Sequence, residues 1–157
     1  MREFIYEQTQ IVNAPIERVF SFFADPRNLG VITPSWLDFR IRPPQPITMR
    51  EGMLIDYALR IHGVPLRWQS EITRWDPPHG FVDEQRKGPY RYWIHEHRFA
   101  PEHGRTRVGD RVRYAVPGGI VVQRLFVARD VDKIFSFRQK KLAEIFSPER
   151  PATWAAA

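Results

Sequence analysis

Between Gly119 and Phe146, apolar side chains fall at Val122, Leu125, Phe126, Val131, Ile134, Phe135, Leu142, Ile145 and Phe146. A recurrence close to every 3.6 residues predicts one long amphipathic helix. Pro117-Gly118-Gly119 breaks the chain before it and Pro148 stops it. The opposite face carries Arg124, Arg129, Lys133, Lys140 and Lys141, a solvated basic stripe. One long apolar helix face needs one broad apolar surface to cover it. The chain before the helix reads as a succession of strands, so the expected surface is an antiparallel sheet curled around that helix.

Strand 1 is expected over Arg2–Val12, where Phe4, Tyr6, Gln8 and Gln10 alternate with Ile5, Thr9 and Ile11. Pro15 at a first helical position and Glu17 in the first turn start a short helix with Ile16, Val19, Phe20 and Phe23 on its buried face. Asp25-Pro26 ends it, and a second short helix is expected over Asn28–Ile32. Six further strands follow: Trp36–Ile41, Met53–Ile61, Leu66–Trp75, Phe81–Arg86, Tyr90–Ala100 and Thr106–Ala115. Pairing Ile61 with Leu66 puts Leu59 opposite Trp68 and Tyr57 opposite Ser70, so their apolar faces coincide. Pro43-Pro44-Gln45-Pro46 is a rigid connector too short to divide domains. The fold class is therefore α+β: about seven antiparallel strands around a long C-terminal helix, with two short helices after strand 1. Residues 1–148 are expected to form one domain and 149–157 a disordered tail.

The totals narrow the function classes. A chain of 157 residues without cysteine has no disulfide framework and no thiolate chemistry. With an opening that runs straight into strand pattern, this gives a cytoplasmic expectation. No apolar run approaches the roughly 20 residues of a membrane helix. The formal charge is +6, but the basic residues are mostly single arginines along strands, which argues against a nucleic-acid or ribosome partner. A homodimer is compatible with all of this.

Pairing Pro101 with Thr106 sets Phe99 against Val108, His97 against Asp110, His95 against Val112 and Trp93 against Tyr114, all on the inner face. A buried Asp needs a partner, and His97 is the one this register offers Asp110. Two roles are open: a His97–Asp110 general-base dyad, or a satisfied polar pair that fixes register or lines a cavity. The second is preferred, because no nucleophilic Ser or Cys can be placed beside it. His95 and His97 share a strand face, yet a third protein ligand for zinc is not evident, so no metal or other cofactor is expected. Asp83 and Gln85 share a face with Phe81, but the register leaves that face inward or outward. Arg138 is read as a pocket-rim or solvated residue. The expected ligand lining is Tyr57, Leu59, Trp68, Ser70, Trp93, His95, His97, Asp110, Val112, Tyr114, Ile134 and Phe135. Mixed apolar and sparse polar side chains of this kind line small-molecule pockets.

Two stretches carry a resemblance. The opening Ile11-Val12-Asn13-Ala14-Pro15-Ile16-Glu17-Arg18-Val19-Phe20 continues through Asp25-Pro26-Arg27-Asn28-Leu29. The second comprises Phe81-Val82-Asp83-Glu84-Gln85, Gly88-Pro89-Tyr90, Trp93-x-His95-x-His97-x-Phe99, Gly104-x-Thr106, Asp110-x-Val112-x-Tyr114 and Pro117. Together they resemble the START, birch-pollen-allergen and polyketide-cyclase superfamily (SRPBCC), in an uncharacterised bacterial ligand-binding branch. The resemblance implies a helix-grip fold with a cavity between sheet and helix that takes a small hydrophobic or aromatic ligand. It also leaves open a polyketide cyclase or dehydratase acting through His97 and Asp110.

Overall fold

The computed structural model describes residues 1–42 and 48–147. The Pro43-Pro44-Gln45-Pro46 connector, the Pro148 stop and the 149–157 tail lie outside the described residues. Seven strands form one antiparallel sheet: β1 Phe4–Val12, β2 Arg40–Arg42, β3 Leu54–Ile61, β4 Val64–Asp76, β5 Gly80–Lys87, β6 Tyr92–Glu102 and β7 Arg105–Ala115, in the spatial order β1-β7-β6-β5-β4-β3-β2. Helix α1, Ile16–Phe23, follows β1. The C-terminal helix runs without a break through Gly119–Val122, a π-helical turn Gln123–Val127 and Ala128–Ile145. None of the described helices is long and apolar enough to cross a membrane.

Two clusters make the core. Val19, Phe20 and Phe23 of α1 pack with Phe81, Phe99, Val108 and Leu142, and a second group joins Val112, Tyr114, Val131 and Phe135. Burying each such Val, Leu or Phe side chain stabilises the fold by about 1.5–3 kcal/mol. Val131, Phe135, Arg138 and Leu142 are the buried residues of the Ala128–Ile145 segment. Their spacing of four, three and four keeps them on one stripe of the helix.

The β6–β7 register matches the sequence expectation at every pair, including His97 with Asp110 and Trp93 with Tyr114. The β3–β4 register is slipped by two residues. Ile61 pairs with Val64, Leu59 with Leu66, Tyr57 with Trp68 and Ile55 with Ser70. His62 and Gly63 form the turn alone, both with positive φ (50° and 77°), the conformation of a tight two-residue hairpin. Pro65 is therefore inside β4 rather than in the turn. It faces Arg60 in β3, and β4 meets β5 only from Gln69 onward, so its missing N–H breaks no ladder bond. A slip of two keeps every side chain on its expected face.

Three other expectations are corrected. Trp36–Ile41 is not a strand: Ser35–Leu37 is a 3-10 turn and β2 starts only at Arg40. Asp38 after that turn takes a left-handed conformation (φ 42°), which interrupts extension. The second short helix is a 3-10 turn at Pro26–Leu29 rather than Asn28–Ile32, begun by Asp25, whose side chain accepts from the Arg27 N–H. Leu125 and Phe126 are exposed, at 62% and 55%, while Gln123 and Val127 are buried. A π-turn holds more residues than an α-turn and rotates the apolar stripe.

Candidate functional site

Sheet and C-terminal helix enclose a cavity of about 190 Å3. Residues of β3 to β6 form its floor, Val131, Ile134, Phe135 and Arg138 of the helix its roof, and Phe22, Ile32, Leu37, Phe39 and Met49 close one side. Most of this wall is aliphatic or aromatic. Trp68 stands edge-on to Trp93 and Tyr90, with ring centres 5.6 Å from each.

Of the expected lining, Tyr57, Leu59, Trp68, Ser70, Trp93, His95, His97, Ile134 and Phe135 border the cavity. Asp110, Val112 and Tyr114 do not. They point inward, with exposures of 4%, 0% and 3%, but His95, Phe135 and Trp93 pack over or beside them. Tyr114 Oη accepts from Gln123 Nε2 at 2.8 Å, so that phenol is held by the helix.

The polar groups gather on one wall. Asp83 in β5 is the register partner of His95 in β6, and Phe81 that of His97, which fixes Asp83 on the inner face. Gly80 at the head of β5 makes this closeness possible. A Cβ there would lie 2.3 Å from the His97 carbonyl oxygen, so any side chain would push β5 off β6. Gln85 also turns inward, but its amide is spent on the turn. It donates to the Tyr90 carbonyl at 2.8 Å and accepts from the Tyr90 N–H at 3.3 Å.

The histidine–carboxylate pairing differs from the expected dyad. Asp110 Oδ1 lies 2.8 Å from His95 Nε2, and Asp83 Oδ2 lies 2.8 Å from His97 Nε2. His97 Nδ1 is 3.7 Å from Asp110, beyond hydrogen-bond length. Facing register partners therefore do not bond. Each imidazole reaches diagonally instead, a geometry that strand register alone does not dictate. His97 also stacks on Phe81, ring centres 4.0 Å apart and 18° from parallel.

Arg138 completes the cluster, and the sequence reading of it as a rim or solvated residue is corrected. It is 6% exposed. Its Nη2 lies 3.4 Å from His97 Nδ1 and 3.8 Å from Asp110 Oδ1, and its guanidinium sits over the rings of Phe23 and Phe135 at 5.3 and 5.7 Å. Its Nε–H is buried with no hydrogen-bond partner among the described residues. The signal was in the spacing: Arg138 falls three residues after Phe135 and four before Leu142, on the buried stripe.

These contacts fix the proton positions. A carboxylate only accepts, so His95 Nε2 and His97 Nε2 both carry hydrogen. Arg138 only donates, so His97 Nδ1 accepts. Burial, then the neighbouring His95 and Arg138, push His97 down to about 4 against the pull of Asp83, which keeps it neutral. Burial pushes Asp83 up, but the hydrogen bond from His97 and the charges of His95 and Arg138 outweigh it and hold the carboxyl below its usual range. Asp110 is held well below that range in the same way, Arg138 being the main cause and His95 the next. Burial raises the Tyr57 phenol far above its ordinary value, so it remains a neutral donor at the cavity floor.

Residues 12–136 match the family described as polyketide cyclase / dehydrase and lipid transport. None of the curated proteins matches the chain in sequence. Among solved structures, the Zhui aromatase/cyclase from Streptomyces sp. R1128 is similar at TM-score 0.72 and 16% identity, covering 92% of this chain and 93% of that one. Protein Ms6760 from Mycobacterium smegmatis is similar at TM-score 0.66 and 20% identity, covering 90% and 89%. The ginseng major latex-like protein 151 from Panax ginseng is similar at TM-score 0.67 and 10% identity, covering 93% and 99%. These likenesses show the helix-grip fold. With a sheet, helix and cavity of this form and a family match over most of its length, the chain belongs to the polyketide cyclase / dehydrase and lipid transport family of the SRPBCC superfamily.

Proposed function

We propose that the protein binds one small, largely apolar molecule of aromatic character beneath the C-terminal helix, with an oxygen of that molecule against the Asp83–His97–Arg138 wall. The observation that carries the reading is the division of the cavity. Its volume exceeds the roughly 150 Å3 in which an apolar protein cavity holds benzene, and the aromatic walls suit a fused-ring face. The buried Arg138 Nε–H has no acceptor among the described residues, and an unpaired buried donor costs about 1–3 kcal/mol. A carbonyl or hydroxyl oxygen of a ligand would satisfy it.

The test is a fluorescence titration with a neutral naphthyl ketone probe beside naphthalene itself. The expected result is saturable one-to-one binding of the ketone, tighter than the hydrocarbon by about 5–10-fold, the ~1 kcal/mol of one hydrogen bond. Equal affinity for both would remove the polar wall from recognition.

A second reading is a cyclase or dehydratase. It is supported by the His95–Asp110 pair, which corrects the expected His97–Asp110 dyad. With Nε2–H held by Asp110, His95 presents Nδ1 as its basic nitrogen, and the ring borders the cavity. Proton abstraction next to a substrate carbonyl, with Arg138 on the oxygen, is the step this arrangement suits. His95→Gln would then lower turnover of a poly-β-keto substrate by about 100-fold or more. Unchanged turnover would dismiss the enzyme reading and leave the binding one standing.

A further inference from the structure

His95 Nδ1 and Asp83 Oδ2 face each other across 3.8 Å. With the hydrogen on His95 Nε2 directed to Asp110, Nδ1 is the nitrogen that faces Asp83, at a separation beyond hydrogen-bond length. His97 Nε2 reaches the same carboxylate oxygen at 2.8 Å, and the three atoms lie within 4.8 Å of one another. We propose that Asp83, His95 and His97 form a site for one divalent first-row transition metal, bound through Asp83 Oδ2, His95 Nδ1 and His97 Nε2, with its open positions toward the cavity.

Three observations bear on this. Ligand atoms around a tetrahedral zinc, at about 2.0–2.2 Å from the ion, stand about 3.4 Å apart. The separations of 2.8 and 3.8 Å bracket that value and the third pair lies within 4.8 Å, so closure on an ion needs side-chain adjustment and no change of backbone register. The ligand set, two imidazoles and one carboxylate, is one that zinc and iron(II) accept with open positions. The surroundings are those of a metal-binding histidine. His95 gives its other N–H to Asp110, and Arg138 in turn sits beside Asp110. Such an outer carboxylate fixes the tautomer that leaves the inner nitrogen free.

Binding requires one internal rearrangement. The hydrogen on His97 Nε2 has to leave that nitrogen for the metal to take it. It moves to Nδ1, and closing the present 3.7 Å gap to Asp110 Oδ1 gives it an acceptor, while Arg138 swings from His97 onto the same carboxylate. His97 stays neutral throughout and no proton is lost. The proposal rests on the geometry of this cluster; it shares Asp83 and His97 with the polar wall proposed above but does not require the apolar ligand.

Cobalt(II) is the probe. Metal-free protein titrated with Co2+ is expected to show the intense visible absorption of a four- or five-coordinate ion, saturating at one per chain and abolished by Zn2+. Asp110→Asn, which weakens the hold on His95, should lower affinity by about 10–100-fold. His97→Gln should abolish the band. Two results overturn the proposal: a wild-type spectrum no stronger than aqueous cobalt at millimolar concentration, or a band of unchanged strength in His97→Gln, which would put the ion on the exposed His62, His79 or His103. The wild-type spectrum decides the question even if a variant fails to fold. Binding of the naphthyl ketone by metal-free protein, read separately, reports on the other site.

Discussion

Arg138→Met is expected to cost about 3–5 kcal/mol of folding stability, the largest loss of any single substitution in the cluster. Methionine keeps an unbranched chain over Phe23 and Phe135, so the loss is chiefly electrostatic. Asp110 is 4% exposed and held ionised by Arg138 and His95 together. Removing the guanidinium leaves a buried carboxylate with His95 as its one remaining hydrogen-bond partner among the described residues. Against a total of about 5–15 kcal/mol for a domain, this is a third or more of the stability. Urea denaturation reads it as a drop in midpoint at constant slope. The double variant Arg138→Met/Asp110→Asn should be more stable than Arg138→Met alone, because the unpaired charge goes with the Asp. If Arg138→Met costs under about 1 kcal/mol, then Asp110 is not held as an ion by Arg138.

Leu59→Trp should reduce binding of the naphthyl ketone by about 100-fold, or ~2.7 kcal/mol. Leu59 borders the cavity from β3 opposite Leu66, and an indole in its place occupies the space a ligand ring would take. Because the bulk goes into an existing cavity, folding stability should change by no more than about 1 kcal/mol, less than the usual cost of overpacking. Ile134→Trp reaches the same space from the helix and should give the same loss. Wild-type affinity in both variants would show that the probe binds elsewhere.

How far the sequence revealed this structure depended on how regular the backbone is. The β6–β7 hairpin was legible to the residue. Its alternation is clean, and Gly104 marks a two-residue turn with His103, both at positive φ. The β3–β4 hairpin was misread by two residues, because Pro65 looks like a turn marker although it sits where β4 has no β5 neighbour. Asp83 could not be placed, since the irregular pairing near Ile72 and Arg74 defeats counting by twos between β4 and β5. The register of β5 on β6 resolves it. Phe22, Ile32, Phe39 and Met49 were missed as cavity walls because three of the four belong to irregular segments with no period. Arg138 was legible from its spacing but misjudged by its charge, since a guanidinium is rarely buried unless paired. Its partners come from distant strands.

The most direct test of the central claim, a ligand cavity between sheet and helix, is a pair of 1H–15N NMR spectra with and without the naphthyl ketone. The expected result is a saturable set of shifts at the Trp68 Nε1–H, the Trp93 indole, the Arg138 Nε–H and the amides of Tyr57, Leu59 and Phe135, with the outer face of β6 and β7 unmoved. Shifts confined to the exposed Val121, Leu125 and Phe126, or none at millimolar probe, would contradict it.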